Sequence, residues 1–214
     1  NNVADVTNIN QVSVRPNNSA GLIEIQQREI QYASFNGGVT IDTVYGVEGT
    51  AYPAGSASTP VKTLVDALTI ANLNGFQQFF VRGNLTIGAT DDVSNYRFLG
   101  AGATLSVTKT LVTLTPGCIT TNTEWYHCRV TGRQGGESTY TQCIIEALTN
   151  AHCHFSECGF VHYTSSSNME LAAGVPNTHD AYCNDCYSDY GTVVIDRNGT
   201  GINETFDHWV GRIK

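Results

Sequence analysis

Charge is scarce in this chain and unevenly placed. Only 14% of the 214 residues are charged, 11 Lys and Arg against 19 Asp and Glu. Between Arg133 and Arg197 there is no Lys or Arg, yet Glu137, Glu146, Glu157, Glu170, Asp180, Asp185, Asp189 and Asp196 all fall there. Binding nucleic acid needs cations that neutralise phosphates, so this stretch speaks against DNA and RNA as partners. Its acids read as a solvated surface. No run is long and apolar enough to cross a membrane, and no signal peptide is visible. The chain starts at Asn1 without Met, as expected for a processed or truncated product. A serine-nucleophile elbow (G-x-S-x-G) is missing. The Gly-rich segments G-A-G-A and G-R-Q-G-G follow strands without a helix after them, which disfavours a phosphate cradle. There is one Met, and helix-forming runs are few.

What the chain does have is cysteine, seven residues, all in its second half. Cys128, Cys143 and Cys158 stand 15 residues apart, and each has an aromatic three positions earlier: Trp125, Tyr140 and Phe155. The frame reads W-Y-H-C-R-V, Y-T-Q-C-I-I, F-S-E-C-G-F. A fourth copy, Y-C-N-D-C-Y-S, ends on Cys186 with its aromatic one position off. A fixed period means stacked structural units, and the simplest physical form is a β-solenoid in which like residues stack inward. The 21 Gly and many Thr, Asn and Ser fit short strands and frequent turns. A β-sandwich with a chance echo is the competing fold.

Residues 1–38 are polar with scattered Val and Ile, and read as an extended N-terminal arm for attachment or oligomerisation; a frayed terminus is the alternative. Residues 39–214 form the expected β domain. Within it V-T-I-D-T-V-Y-G predicts a strand, and F-Q-Q-F-F-V-R-G-N-L-T-I predicts strands broken at Gly83-Asn84. One helix is expected near 60–73, capped by Thr59 with Pro60 at its first position. Its apolar stripe is Val61, Leu64, Val65, Leu68 and Leu73, and Asn74-Gly75 ends it. A helix at an open solenoid end seals its unpaired edges and raw core.

The segment I-D-T-V-Y-G-V-E-G-T-A-Y-P-A-G-S-A-S-T-P-V-K-T-L-V-D-A-L-T-I-A, with F-F-V-R-G-N-L-T-I after it, resembles the start of right-handed, pectin-lyase-like β-helix modules in tailed-bacteriophage virion proteins. D-C-Y-S, V-V-I-D and G-T-G resemble later rungs, and V-T-N-I-N-Q-V-S-V resembles the arms that tie such modules to a particle. The likeness covers around 170 residues, patchily. Its motifs are loop and packing signatures, and the cysteine load departs from the family's pattern. The resemblance implies a right-handed parallel β-helix with a capping helix. It also implies a structural virion protein of the decoration, collar or tail-fibre type. Such a protein docks on capsid, neck or tail partners through its arm and self-associates as a homotrimer.

Four readings of the cysteines stay open. Cys128, Cys143 and Cys158 fit buried free thiols in a column. Cys118, Cys153, Cys183 and Cys186, off the clean ladder, are candidate disulfide partners with no connectivity given by sequence. C-N-D-C at 183–186, with His152, His154, His162 and His179 nearby, is a weak zinc signal. A redox C-x-x-C lacks its strand-to-helix setting. No cofactor and no metal are expected. Phage β-helices include polysaccharide-cleaving spikes, but no two acids among Glu157, Asp180, Asp185 and Asp189 stand out as a glycosidase pair, so the chain is not read as an enzyme. Host-surface glycan binding is the runner-up: Trp125, Tyr126, Tyr140, Phe155, His208 and Trp209 are candidate stacking platforms. His208 and Trp209 are the better surface or intersubunit candidates.

Overall fold

A computed structural model describes residues 28–101, 109–151, 153–160, 169–171, 180–188, 195–197 and 203–207. Most of the arm, His152, His162, His179, Asp189, His208 and Trp209 lie outside the described residues. A helical segment, α1, covers 28–34, and α2 covers Leu64–Asn74. The strands begin with β1 (Val39–Asp42), β2 (Gln78–Arg82), β3 (Leu85–Ile87), β4 (Arg97–Gly100), β5 (Leu111–Leu114) and β6 (Thr123–Tyr126). They continue with β7 (Arg129–Arg133), β8 (Ser138–Thr141), β9 (Ile144–Ala151), β10 (Cys153–Ser156) and β11 (Gly159–Phe160). The last are β12 (Met169–Leu171), β13 (Asp180–Asn184), β14 (Tyr187–Ser188), β15 (Ile195–Arg197) and β16 (Asn203–Asp207).

The fold is mainly β, with two parallel sheets. One runs β1-β2-β4-β6-β8-β10-β13-β16 and the other β14-β11-β9-β7-β5-β3, with β12 pairing β9 and β15. From β2 to β11 the chain alternates between the sheets, and each return lays a strand parallel on its predecessor. Register is kept from circuit to circuit: Phe79 faces Phe98, Phe98 faces Trp125, Trp125 faces Tyr140 and Tyr140 faces Phe155. In the second sheet Leu85, Val112, Val130, Ile145 and Phe160 face one another in turn. These inward positions are buried. Alternation along each strand sends polar partners outward, as a period of two requires.

The helix starts later than the sequence suggests. Its N-cap is Thr63, whose hydroxyl accepts from the Asp66 amide at 3.1 Å and donates to the Asp66 carboxylate at 2.8 Å. Thr59 and Pro60 lie before it, because Val61 is fully buried and bridges Ile41 and Val47 as extended backbone. The buried face is Leu64, Ala67, Ile70 and Ala71, whereas Val65 and Leu73 are exposed. Gly75 closes the helix in the left-handed region at φ 73°. Within the arm's described part, Phe35 is buried and packs at a tilt against Phe76, ring centroids 5.1 Å apart. The arm's last residues therefore pack into the N-terminal layer.

Candidate functional site

Two places concentrate the unusual side chains: the interior where the first sheet turns into the second, and a polar cleft near the N-terminal layer.

The interior turn repeats one local conformation. His127, Gln142, Glu157 and Asp185 each take positive φ, between 51° and 56°. Each follows a first-sheet strand and precedes a cysteine: Cys128, Cys143, Cys158 and Cys186. The left-handed residue turns the chain and the next side chain points inward. Successive corners are tied by backbone bonds from Ile144 N to Cys128 O (2.8 Å), Gly159 N to Cys143 O (2.9 Å) and Tyr187 N to Cys158 O (3.0 Å). Arg129 N donates to Thr110 O at 2.8 Å, which puts Thr110 at the head of the same column. Thiols donate to carbonyls above and beside them, Cys143 to Trp125 O and Cys158 to Tyr140 O, both at 3.3 Å. Cys186, the end of the frame's fourth copy, is thus the column's fourth thiol. Cys183, three before it, holds the aromatic's place and faces Phe155 in register.

Next to the thiols runs the aromatic stack. Ring centroids are 4.9 Å apart for Phe79–Phe98, 4.7 Å for Phe98–Trp125, 6.5 Å for Trp125–Tyr140 and 5.2 Å for Tyr140–Phe155. Phe79 and Phe98 escaped the sequence reading. Tyr140 hydroxyl bonds Gln134 Oε1 at 3.2 Å, while the Trp125 indole nitrogen has no partner among the described residues.

All seven cysteines are buried free thiols. Cys153 lies inward on β10, facing Ser138, and Cys118 donates to Arg133 O at 3.6 Å. Burial pushes the Cys118, Cys153 and Cys158 thiols up from the usual range. The adjoining Cys143 thiol and burial together push the Cys128 thiol up as well. Among the described residues no group of three or more His, Cys, Asp or Glu is arranged to hold a metal ion. No described helix is long and apolar enough to cross a membrane.

The cleft, about 260 Å³, is lined by Gly37, Gln77, Gln78, Asn95, Tyr96, Arg97, Asn122 and Glu124. Its centre is an ion pair between Arg97 and Glu124, Nη2 to Oε2 at 2.6 Å. Tyr126 lies beneath, its ring 5.2 Å from the guanidinium carbon and its hydroxyl 3.2 Å from Glu124 Oε2. Asn95 and Asn122 sit in left-handed turns and bond each other at 3.4 Å. The lining offers amide donors and acceptors with one carboxylate already paired. Of the acids weighed from sequence, Glu157 accepts from Gln142 Nε2 at 2.7 Å and Asp185 is exposed at its corner. Glu137 pairs with His154 at 3.4 Å and Glu146 with Arg129 at 3.1 Å.

Compared with protein-family models, curated proteins and solved structures, the chain matches none.

Proposed function

We propose that the two sheets are the walls of a right-handed parallel β-helix and that this coil is a structural module of a tailed-phage virion. The carrying observation is the aromatic column, kept in register through circuits of different length. Such a column gives a rod its stiffness and carries no chemistry. Right-handedness is what parallel strand-crossover-strand connections adopt almost always. The helical layer at residues 28–75 caps the first circuit. The phage setting rests on the sequence resemblance alone. In this reading the chain is a decoration, collar or fibre part that docks through residues 1–38 on other virion proteins and forms a homotrimer. Of the nine large hydrophobics exposed among the described residues, eight lie between Ile30 and Leu73. An apolar surface concentrated there suits contact with partners or sister subunits. Sedimentation of the full chain and of a form lacking residues 1–27, which keeps Phe35 in its layer, tests this. A trimer that falls to monomer on truncation agrees; a full chain that stays monomeric contradicts self-association.

A second reading has the polar cleft take a saccharide of the host surface. Its amide-rich lining favours it, and its size admits little more than one ring. Glycan binding that survives deletion of residues 1–27, which leaves Gly37 in the lining, and is lost in Asn95→Ala would favour it. Polysaccharide cleavage is the weaker form, since the lining holds a single carboxylate and that chemistry needs two.

A further inference from the structure

Among the described residues, Lys109 is the one charged side chain in the buried set, 2% exposed. Its ammonium donates to the Gln142 carbonyl, and no carboxylate among the described residues pairs with it. Its ionisable neighbours are Cys143, Cys128 and Cys158. Burial pushes the Lys109 ammonium's pKa down, against the neighbouring thiols, and an anion held beside it would restore its charge. The thiols beside it are stacked, because Arg129 pairs with Ile144 and Ile144 with Gly159, one residue past Cys128, Cys143 and Cys158. Gly100 makes room for them: a Cβ there would lie 2.9 Å from Cys128 Sγ.

Stacked thiols suit one kind of ligand. Soft monovalent cations select thiolate sulfur, and two-coordinate binding needs only two sulfurs on opposite sides. With the zinc–thiolate length of about 2.3 Å as a guide, two metal–sulfur bonds laid end to end span about 4.6 Å. In-register strands step by about 4.8 Å. A tetrahedral ion would need more donors than the column turns to any one point.

We propose that Cys128 and Cys143 form a two-coordinate site for a soft monovalent cation of the copper(I) or silver(I) class, with Lys109 as its counter-charge. Two thiols bind one cation and release two protons to solvent. The resulting bis-thiolate centre carries one negative charge, which the Lys109 ammonium balances. Nothing is oxidised or reduced.

The test uses silver(I), which has no redox step, on the reduced full chain. Binding to the folded state raises the unfolding midpoint, whereas capture by unfolded thiols lowers it. One equivalent of silver is expected to raise the midpoint in the parent and in Cys118→Ser, whose thiol is outside the column. The rise should vanish in Cys143→Ser and in Cys128→Ser. Lys109→Met should weaken silver binding about 10- to 100-fold, as loss of an outer-shell partner does. An unchanged or lowered midpoint in the parent overturns the proposal, and so does a rise that persists in Cys143→Ser. If Cys143→Ser does not fold, Cys128→Ser decides in the same way.

Discussion

The circuits before Trp125 and those after it solve the same packing problem with different materials. In the first group, Phe79, Phe98 and Trp125 are 19 and 27 residues apart. In the second, Trp125, Tyr140 and Phe155 are spaced by 15 and the corner side chain is always cysteine. Both groups keep the aromatic column in register. Stacking therefore depends on strand pairing and not on loop length. What changes is the corner. On the Phe98 circuit it is filled by Thr110, whose hydroxyl bonds Val81 O at 3.2 Å. In the later group the filling side chain is a thiol: small, apolar and able to donate weakly to a carbonyl of the preceding circuit.

If the column is shared, large-to-small changes should cost alike in both groups. Phe98→Ala and Tyr140→Ala, both at fully buried positions, should each lose about 3–5 kcal/mol in denaturant unfolding. A loss confined to one group would separate the two. Next comes pH. Burial holds the Cys153 thiol well above its ordinary value. A raised folded pKa contributes stability that is whole below the unfolded pKa, about 8.5. That stability drains away as pH climbs beyond it, by up to about 1.4 kcal/mol per pH unit for each such thiol. Unfolding of the reduced protein from pH 7 to 10 should show a plateau and then a fall, and Cys153→Ala should flatten the fall.

Smaller effects probe the joins. Gly132 has φ 106°, and a Cβ there would lie 2.1 Å from Leu114 O. Gly132→Ala should cost about 2–3 kcal/mol, read from the same unfolding curves. Gln142→Gly is the mildest test. Its left-handed φ of 52° suits glycine, but glycine also loosens the unfolded chain, so the net change in stability should stay within about 1 kcal/mol.

These contrasts also explain what the sequence made legible. The frame of Trp125, Tyr140 and Phe155 with their cysteines was visible because three circuits share one length. Phe79 and Phe98 belong to the same column but hide behind unequal loops. Cys183 hides differently, as a thiol in an aromatic's place. The corners were invisible because His127, Gln142, Glu157 and Asp185 are ordinary polar residues doing a glycine's task. The helix was legible, but its start moved from Thr59 to Thr63. The pull of Val61 into a bridge with Ile41 is a long-range contact that no local capping signal reports. The cleft depends on Gln78, Arg97 and Glu124 lying side by side on different circuits, so no spacing in the chain announces it.

The most direct test of the packed column is alkylation of the native protein, kept free of reductant, followed by intact mass and by mapping the labelled cysteines. The account predicts that Cys128, Cys143, Cys158 and Cys186 stay unlabelled until denaturant is added, and that all seven thiols are then labelled. Rapid labelling of those four in the native state, or a mass lower by the two hydrogens of a disulfide among them, would contradict it.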